Sequence, residues 1–163
     1  MERLWSPWRM EYIESAKEEE AGGCVFCDLL EDEAAASSRV LRRTELAFVT
    51  LAKYPYNPGH LLVLPVRHVD DPEGMTDEEN TAVSRLLQRS LHALREASRP
   101  HGFNIGLNLG RVAGAGIPEH LHWHVVPRWR GDTNFMPVVG QTRVLPELLD
   151  DTFAKLRPLF AEG

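Results

Sequence analysis

Three histidines alternate with large apolar residues near the end of the chain, and this pattern limits the possible fold more than any other segment. The run reads HLHWHVV over residues 120–126. Side chains of a β-strand point alternately to its two faces, so the histidines share one face and the apolar residues share the other. We predict a strand over Leu121–Pro127 whose apolar face lies in the core and whose imidazole face meets a ligand.

Three imidazoles on one strand face are compatible with more than one chemistry. Alternating histidines can converge on a zinc ion. Alternatively, one histidine can act as a nucleophile in phosphoryl or nucleotidyl transfer while its neighbours orient and charge the site. A merely solvated strand face is the third interpretation, although a core strand would more often carry Val or Ile at such positions.

The segment before the histidines favours a phosphate ligand. It reads GRVAGAG and places glycines at Gly110, Gly114 and Gly116. Glycines allow backbone amides to approach an anion closely. Arg128, beyond the histidines, adds a cation, so a phosphorylated ligand is expected here.

Apolar periodicity in the rest of the chain predicts an α+β domain. Residues 77–97 show helical spacing behind a capping-box sequence that begins at Thr76. Alternating or continuous apolar patterns predict four further strands, and helical spacing returns near the C-terminus. These strands cover 39–44, 45–51, 60–66 and 103–109, and the last helix covers 144–161. We therefore predict one domain over residues 1–163, with a mostly antiparallel five-stranded sheet, one long central helix and a C-terminal helix.

Two segments near the N-terminus carry weaker signals. Residues 1–22 contain Trp5 and Trp8 and are expected to form an arm that packs on the domain or on a second subunit. Residues 34–38, AAASS, are expected to be a short flexible segment.

The charge distribution excludes one class of partner. The 163-residue chain has 18 basic and 24 acidic residues, a net charge of −6. Residues 11–33 hold nine of the acids and a single lysine, so the acidity is local. A nucleic-acid polymer would select a broad basic surface, whereas a small phosphorylated ligand needs only a few cations or amides.

Localisation is inferred from the segments that the chain lacks. The longest aliphatic stretch, LLVLPV at 61–66, is far shorter than the roughly 20 residues of a membrane helix. The first 20 residues have no apolar core of a secretory signal, so we expect a cytoplasmic protein without a membrane partner. Cys24 and Cys27 form a single C-x-x-C pair, which in that compartment indicates metal binding or redox chemistry.

Several of these segments together resemble the histidine triad (HIT) family. HLHWHVV resembles the family's His-φ-His-φ-His-φ-φ motif, where φ is apolar, and NPGHLLVLP at 57–65 resembles its central strand. NLGRVAGAG at 108–116 resembles the phosphate loop, and CVFC at 24–27 the C-x-x-C of zinc-binding bacterial members. The resemblance covers residues 24–130. Segments such as EHLHWHVVPRW (119–129) and GDTNF (131–135) are most similar to the bacterial HIT-type diadenosine tetraphosphate phosphorylases.

The resemblance implies a homodimeric nucleotide-binding enzyme that forms a nucleotidyl-histidine intermediate. It makes His122 the nucleophile and His124 its neighbour at the phosphate or the leaving oxygen. It also implies a structural zinc ion held by Cys24, Cys27, His68 and His120. The expected substrate contacts are Asn108, Gly110, Gly114, Gly116, Arg128 and Asn134.

The acceptor for the nucleotidyl group is left open by the resemblance. Inorganic phosphate as co-substrate would make the protein a phosphorylase of diadenosine tetraphosphate, and water would make it a hydrolase. A purine nucleoside phosphoramidate hydrolase and a non-catalytic, zinc-stabilised nucleotide-binding module are the alternatives. One departure concerns Ala52, a position where relatives usually place an Asn near the ribose.

Overall fold

The computed structural model describes residues 23–132 and 147–161. Five strands form one sheet in the order β1-β2-β3-β5-β4, and each of its four pairings is antiparallel. The α+β prediction is therefore confirmed. The elements are α1 (Val25–Glu31), α2 (Glu33–Arg39), β1 (Val40–Arg43), β2 (Ala47–Leu51), β3 (Leu61–Pro65), α3 (Asp77–Ser98), β4 (Gly102–Gly106), β5 (Trp123–Arg128) and α4 (Leu149–Ala161).

The central strand β3 is buried along its whole length, as its unbroken apolar sequence predicts. It pairs with β2 on one side and with β5 on the other, where Leu62 lies opposite His124. On the far side of β5, Gly106 of β4 lies opposite the same histidine. His124 therefore sits in the middle of a three-strand row at one end of the sheet.

The two faces of the sheet carry separate apolar clusters. The long helix α3 and the C-terminal helix α4 cover one face, where Leu94, Leu156 and Phe160 pack against inward-facing strand residues. The helices α1 and α2 flank the other face, where Phe26 and Leu29 pack with Leu62 and Leu64. Helix α3 begins with the predicted capping box, in which Thr76 and Glu79 bond to each other's backbone amides.

One prediction near the N-terminus was wrong. Residues 34–38 are not a flexible segment but part of α2, because Asp32 caps the amides of Ala34 and Ala35 and alanine favours helix. The C-x-x-C segment lies at the start of another short helix, α1. The predicted arm at 1–22, with Trp5 and Trp8, and residues 144–146 of the predicted last helix lie outside the described residues.

The histidine-bearing strand begins later than the alternation predicts. Its pairing with β3 ends at Val63, which lies opposite Trp123, so His120 and His122 precede the ladder. The Leu121 amide instead donates to the Val69 carbonyl at 2.8 Å, because the chain after β3 has turned towards it. Leu121 and Val125 are buried as predicted. In the described part of the chain, no helix is long and apolar enough to span a membrane.

Candidate active site and metal centre

His122 is a buried imidazole that lies just before β5 in the chain. Its Nδ1 lies 2.8 Å from the backbone carbonyl of His120, and its side chain is 6% exposed. The carbonyl can only accept, so Nδ1 carries the proton and Nε2 keeps its lone pair. Burial lowers the pKa of His122, while the bond to His120 opposes that effect. The ring is therefore neutral at neutral pH.

The tautomer of His124 follows from a chain of two hydrogen bonds. The Tyr56 amide donates to Nδ1 of His60 at 3.1 Å, so His60 carries its proton on Nε2. That nitrogen lies 2.9 Å from Nδ1 of His124, which must then accept. The neutral His124 consequently carries its proton on Nε2 and can donate from it. Its ring centroid is 5.0 Å from that of His122, so a donor lies beside the His122 ring.

Two aromatic residues outside the triad pack on these rings. Phe26 contacts His122 with ring centroids 5.3 Å apart, and Tyr56 is stacked on His60 at 4.8 Å and on His124 at 5.7 Å. Phe26 comes from α1, whereas Tyr56 comes from the loop between β2 and β3. His122 and His124 are thus oriented both by hydrogen bonds and by packing against aromatic rings.

Four potential metal ligands converge, and one of them is the first triad histidine. They are Cys24, Cys27, His68 and His120, and one ligand atom of each lies within 4.8 Å of the others. His120 Nδ1 is 3.3 Å from Cys24 Sγ and 3.7 Å from Cys27 Sγ, and His68 Nδ1 is 3.5 Å from Cys27 Sγ. Tetrahedral zinc with ordinary Zn–S and Zn–N bonds separates such atoms by about 3.5 Å. The cluster therefore has the donor set and the spacing of a closed zinc site.

The second shell of this cluster is in place. His120 is fully buried, and its Nε2 lies 3.0 Å from the Pro65 carbonyl, which leaves Nδ1 as the ligating atom. Burial lowers the pKa of His120, although the bond to Pro65 opposes this effect, so the ring is neutral as a metal ligand must be. Burial, followed by the neighbouring Cys24, raises the pKa of the Cys27 thiol to about 11. A bound cation acts in the opposite direction because it stabilises the thiolate.

The glycine-rich loop begins two residues after β4. Asn108 and Gly110 lie close along the chain to Gly106, which is opposite His124. Gly110 and Gly114 have φ of +76° and +96°, a conformation that explains glycine at both positions. The amides of Ala113 and Ala115 bond to the Gly110 carbonyl, so they close the turn instead of facing a ligand.

Arg128 lies apart from the triad. It is at the far end of β5, and its guanidinium forms a two-pronged ion pair with Asp132 at 2.5 and 2.8 Å. A third bond, 2.7 Å long, joins it to the Asn104 side chain. The pKa of Asp132 is strongly lowered, chiefly by this pairing with Arg128. Asn134 lies outside the described residues.

Sequence reasoning missed His60, Tyr56 and Phe26 as parts of the site. His60 is expected from its sequence context to be a satisfied core or turn histidine, and it is indeed 2% exposed with both ring nitrogens bonded. Its partner, however, is a triad histidine. The sequence signal that could have identified His60 is its position directly before a buried strand, because a central buried strand is expected to lie beside the strand that carries the histidines.

The chain is similar to known proteins. A model of the HIT domain matches residues 33–131. Over 160 residues the chain is 42% identical to the AP-4-A phosphorylase of Mycobacterium tuberculosis (strain ATCC 25618 / H37Rv), with 93% of this chain and 80% of the relative covered. It is 31% identical over 133 residues to the bis(5'-adenosyl)-triphosphatase of Dictyostelium discoideum, with 77% and 88% covered.

The solved structures agree with the sequence relatives. A zinc-bound histidine triad family protein from Mycobacterium smegmatis superimposes with a TM-score of 0.69 at 30% identity, over 86% of this chain and 94% of that one. The domain match spans more than half of the chain and includes His120, His122 and His124. This protein belongs to the HIT family.

Proposed function

We propose that this protein cleaves dinucleoside polyphosphates, with diadenosine tetraphosphate as the preferred substrate, through a nucleotidyl-His122 intermediate and with inorganic phosphate as acceptor. The observation that carries the proposal is the fixed tautomer of His122. Its Nδ1–H is bonded to the His120 carbonyl at 2.8 Å, so a neutral Nε2 lone pair is available for attack on phosphorus.

In the first step, Nε2 of His122 attacks the phosphorus of an adenylyl group. A P–N bond forms, the P–O bond to the rest of the substrate breaks, and ATP leaves. The Nε2–H of His124 supports the developing charge on the phosphate or the leaving oxygen, since its centroid is 5.0 Å from that of His122. The bond to His120 stabilises the charge that His122 acquires.

In the second step, an oxygen of inorganic phosphate attacks the same phosphorus and the P–N bond breaks, which releases ADP and restores neutral His122. The likeness to the Mycobacterium tuberculosis AP-4-A phosphorylase supports phosphate as acceptor. Water in its place would release AMP, and the likeness to the Dictyostelium bis(5'-adenosyl)-triphosphatase supports this hydrolytic alternative.

The substrate phosphates would be held by the loop that follows β4. We assign contacts to Asn108, Gly110, Gly114 and Gly116. The turn uses the Ala113, Gly114 and Ala115 amides internally, so the amides after Ala115, beginning with Gly116, are the better donors for an anion. Arg128 can contact a substrate phosphate only if its guanidinium exchanges Asp132 for that phosphate. We also assign Asn134 as a substrate contact.

A zinc ion in the Cys24, Cys27, His68 and His120 cluster would be structural. A closed set of four protein ligands has no open position for substrate or water. The ion would add folding free energy by joining α1 to the segments that carry the two histidines.

We also assign a homodimer built through β4. Among residues 23–132 and 147–161, this strand forms the edge of the sheet and pairs with β5 alone, while Ile105 within it is 48% exposed. The edge of a sheet is a template for a second strand. The opposite edge differs, since Arg157 of α4 donates to the carbonyls of Val40 and Leu41 in β1. Ile105→Lys should shift the protein from dimer to monomer in sedimentation equilibrium.

One experiment separates the activities. The purified protein is incubated with diadenosine tetraphosphate, with and without inorganic phosphate, and the nucleotides are identified by chromatography. ADP and ATP formed only with phosphate support phosphorolysis, whereas AMP and ATP formed without it support hydrolysis. Absence of cleavage under both conditions contradicts the proposal and favours the phosphoramidate or binding-module alternatives.

A further inference from the structure

His120 belongs to the metal cluster and to the active site at the same time. Its side chain offers Nδ1 to the cluster, 3.3 Å from Cys24 Sγ, while its backbone carbonyl accepts from Nδ1 of His122 at 2.8 Å. The carbonyl sets the tautomer of the nucleophile. A change in the position of His120 therefore reaches His122 through a single hydrogen bond.

Helix α1 makes a second connection between the same two places. Cys24 is its N-cap residue and Cys27 lies within it, and Phe26 stands between the two ligands. The Phe26 ring contacts His120 at 5.6 Å and His122 at 5.3 Å between centroids, and the residue is 6% exposed. Whatever holds the two cysteines therefore also holds Phe26 against the nucleophile.

We propose that cation binding by the cluster positions the catalytic nucleophile, with Phe26 and the His120 carbonyl as the two connecting groups. Phe26 is a positioning residue in this proposal, because it acts on substrate only through His122. The inference rests on the proposed function in taking His122 as the nucleophile. It goes beyond that function because it assigns the bound cation an effect on catalysis in addition to its effect on folding.

The competing view is that other contacts hold His122 without the cation. The His120 ring bonds to the Pro65 carbonyl at 3.0 Å, and the Leu121 amide bonds to Val69 at 2.8 Å. Neither contact involves α1. If they suffice, removal of the cation will lower stability and leave the ring of His122 unchanged.

The test uses the full chain, loaded with Zn²⁺ or stripped with a chelator, and histidine labelled with ¹⁵N. At pH 8, long-range ¹H–¹⁵N spectra report the tautomer of each ring. We expect a single Nδ1–H tautomer of His122 with Zn²⁺ and a mixture after stripping, with re-addition restoring the first spectrum. We expect kcat to fall about 10-fold or more, with a smaller change in KM, because the loss is one of orientation. An unchanged His122 spectrum and kcat in the stripped, folded protein would overturn the proposal.

A pair of variants tests the same linkage with the metal in place. Phe26→Leu removes the ring that contacts His122, whereas Leu29→Ala weakens the same helix in the same apolar cluster. With Zn²⁺ content confirmed in both, we expect Phe26→Leu alone to lower kcat and broaden the His122 signals. Equal effects of the two variants would overturn the role of Phe26, even if stripping unfolds the chain. The spectra require no turnover, so a wild type without cleavage would count against the proposed function only.

Discussion

His60 and His124 are joined ring to ring, with Nε2 of the first 2.9 Å from Nδ1 of the second. The Tyr56 amide sets the direction of this bond, because it occupies the other nitrogen of His60 as a donor. A histidine from the loop before β3 therefore determines which nitrogen of a triad histidine carries the proton. His60 is a positioning residue whose effect passes through His124.

Replacement of His60 should lower turnover without unfolding the domain. In His60→Ala, Nδ1 of His124 loses its donor and both neutral tautomers become populated, so the proton is no longer confined to Nε2. We expect kcat to fall by about 10- to 100-fold, a part of what acid–base groups usually contribute. His92→Ala is the matched control, since His92 is 68% exposed on α3. Equal kcat for the two variants contradicts the assignment.

His122 should be indispensable for formation of the covalent intermediate. The wild type mixed with substrate in the absence of phosphate should accumulate an adenylylated peptide that contains His122, detectable by mass spectrometry of a rapid acid-free digest. His122→Ala should show no such peptide and a loss in kcat of at least about 1,000-fold, the scale for removal of a nucleophile. Label on another residue would show that the nucleophile is misassigned.

The sheet could be predicted because burial of its strands requires apolar residues in patterns that are visible in the sequence. The continuous apolar run of β3 and the alternation at Leu121, Trp123 and Val125 leave few other arrangements. Helix α2 has no such apolar pattern, because none of its residues is buried. Its start is defined by a single cap from Asp32.

The contacts between the site residues were harder to predict from the sequence than the identity of those residues. The pairing of His60 with His124 depends on the register that places Leu61 opposite Val125, and residue patterns leave register open. The four metal ligands come from three separate segments, so spacing identifies only the two cysteines. The resemblance to the HIT family implied the complete set, and the structure brings those four side chains together.

Metal analysis should find about one zinc ion per chain, as expected for one closed four-ligand site. Cys24→Ser should lower both the zinc content and the melting temperature, because α1 is then joined to His68 and His120 by fewer bonds. Asp28→Asn changes an exposed residue of the same helix and should retain the ion. Mass spectrometry under non-denaturing conditions gives the content, and calorimetry gives Tm. A wild type that binds no zinc from a zinc-containing medium contradicts the four-ligand site.

The ion pair of Arg67 and Glu79 should make stability depend on pH in the acidic range. Arg67 donates to both carboxylate oxygens of Glu79, at 2.8 and 2.7 Å, next in the chain to His68. These bonds lower the pKa of Glu79 from 4.5, although burial opposes them. A carboxyl group whose pKa is lower in the folded than in the unfolded protein stabilises the fold at pH values above the unfolded-state pKa. This stabilisation is lost as the pH falls through the folded-state pKa.

Glu79→Gln should therefore destabilise the protein at pH 7, and this destabilisation should diminish as the pH falls below 4.5. The amide can still accept from the Thr76 backbone, so the capping box is kept and the lost charge is isolated. We expect a difference of about 1–2 kcal/mol in the free energy of unfolding at pH 7, the scale of a hydrogen-bonded charged group. Urea denaturation from pH 3 to pH 7 measures it, with the exposed Glu73→Gln as control. A difference that is constant over this range would show that ionisation of Glu79 does not contribute.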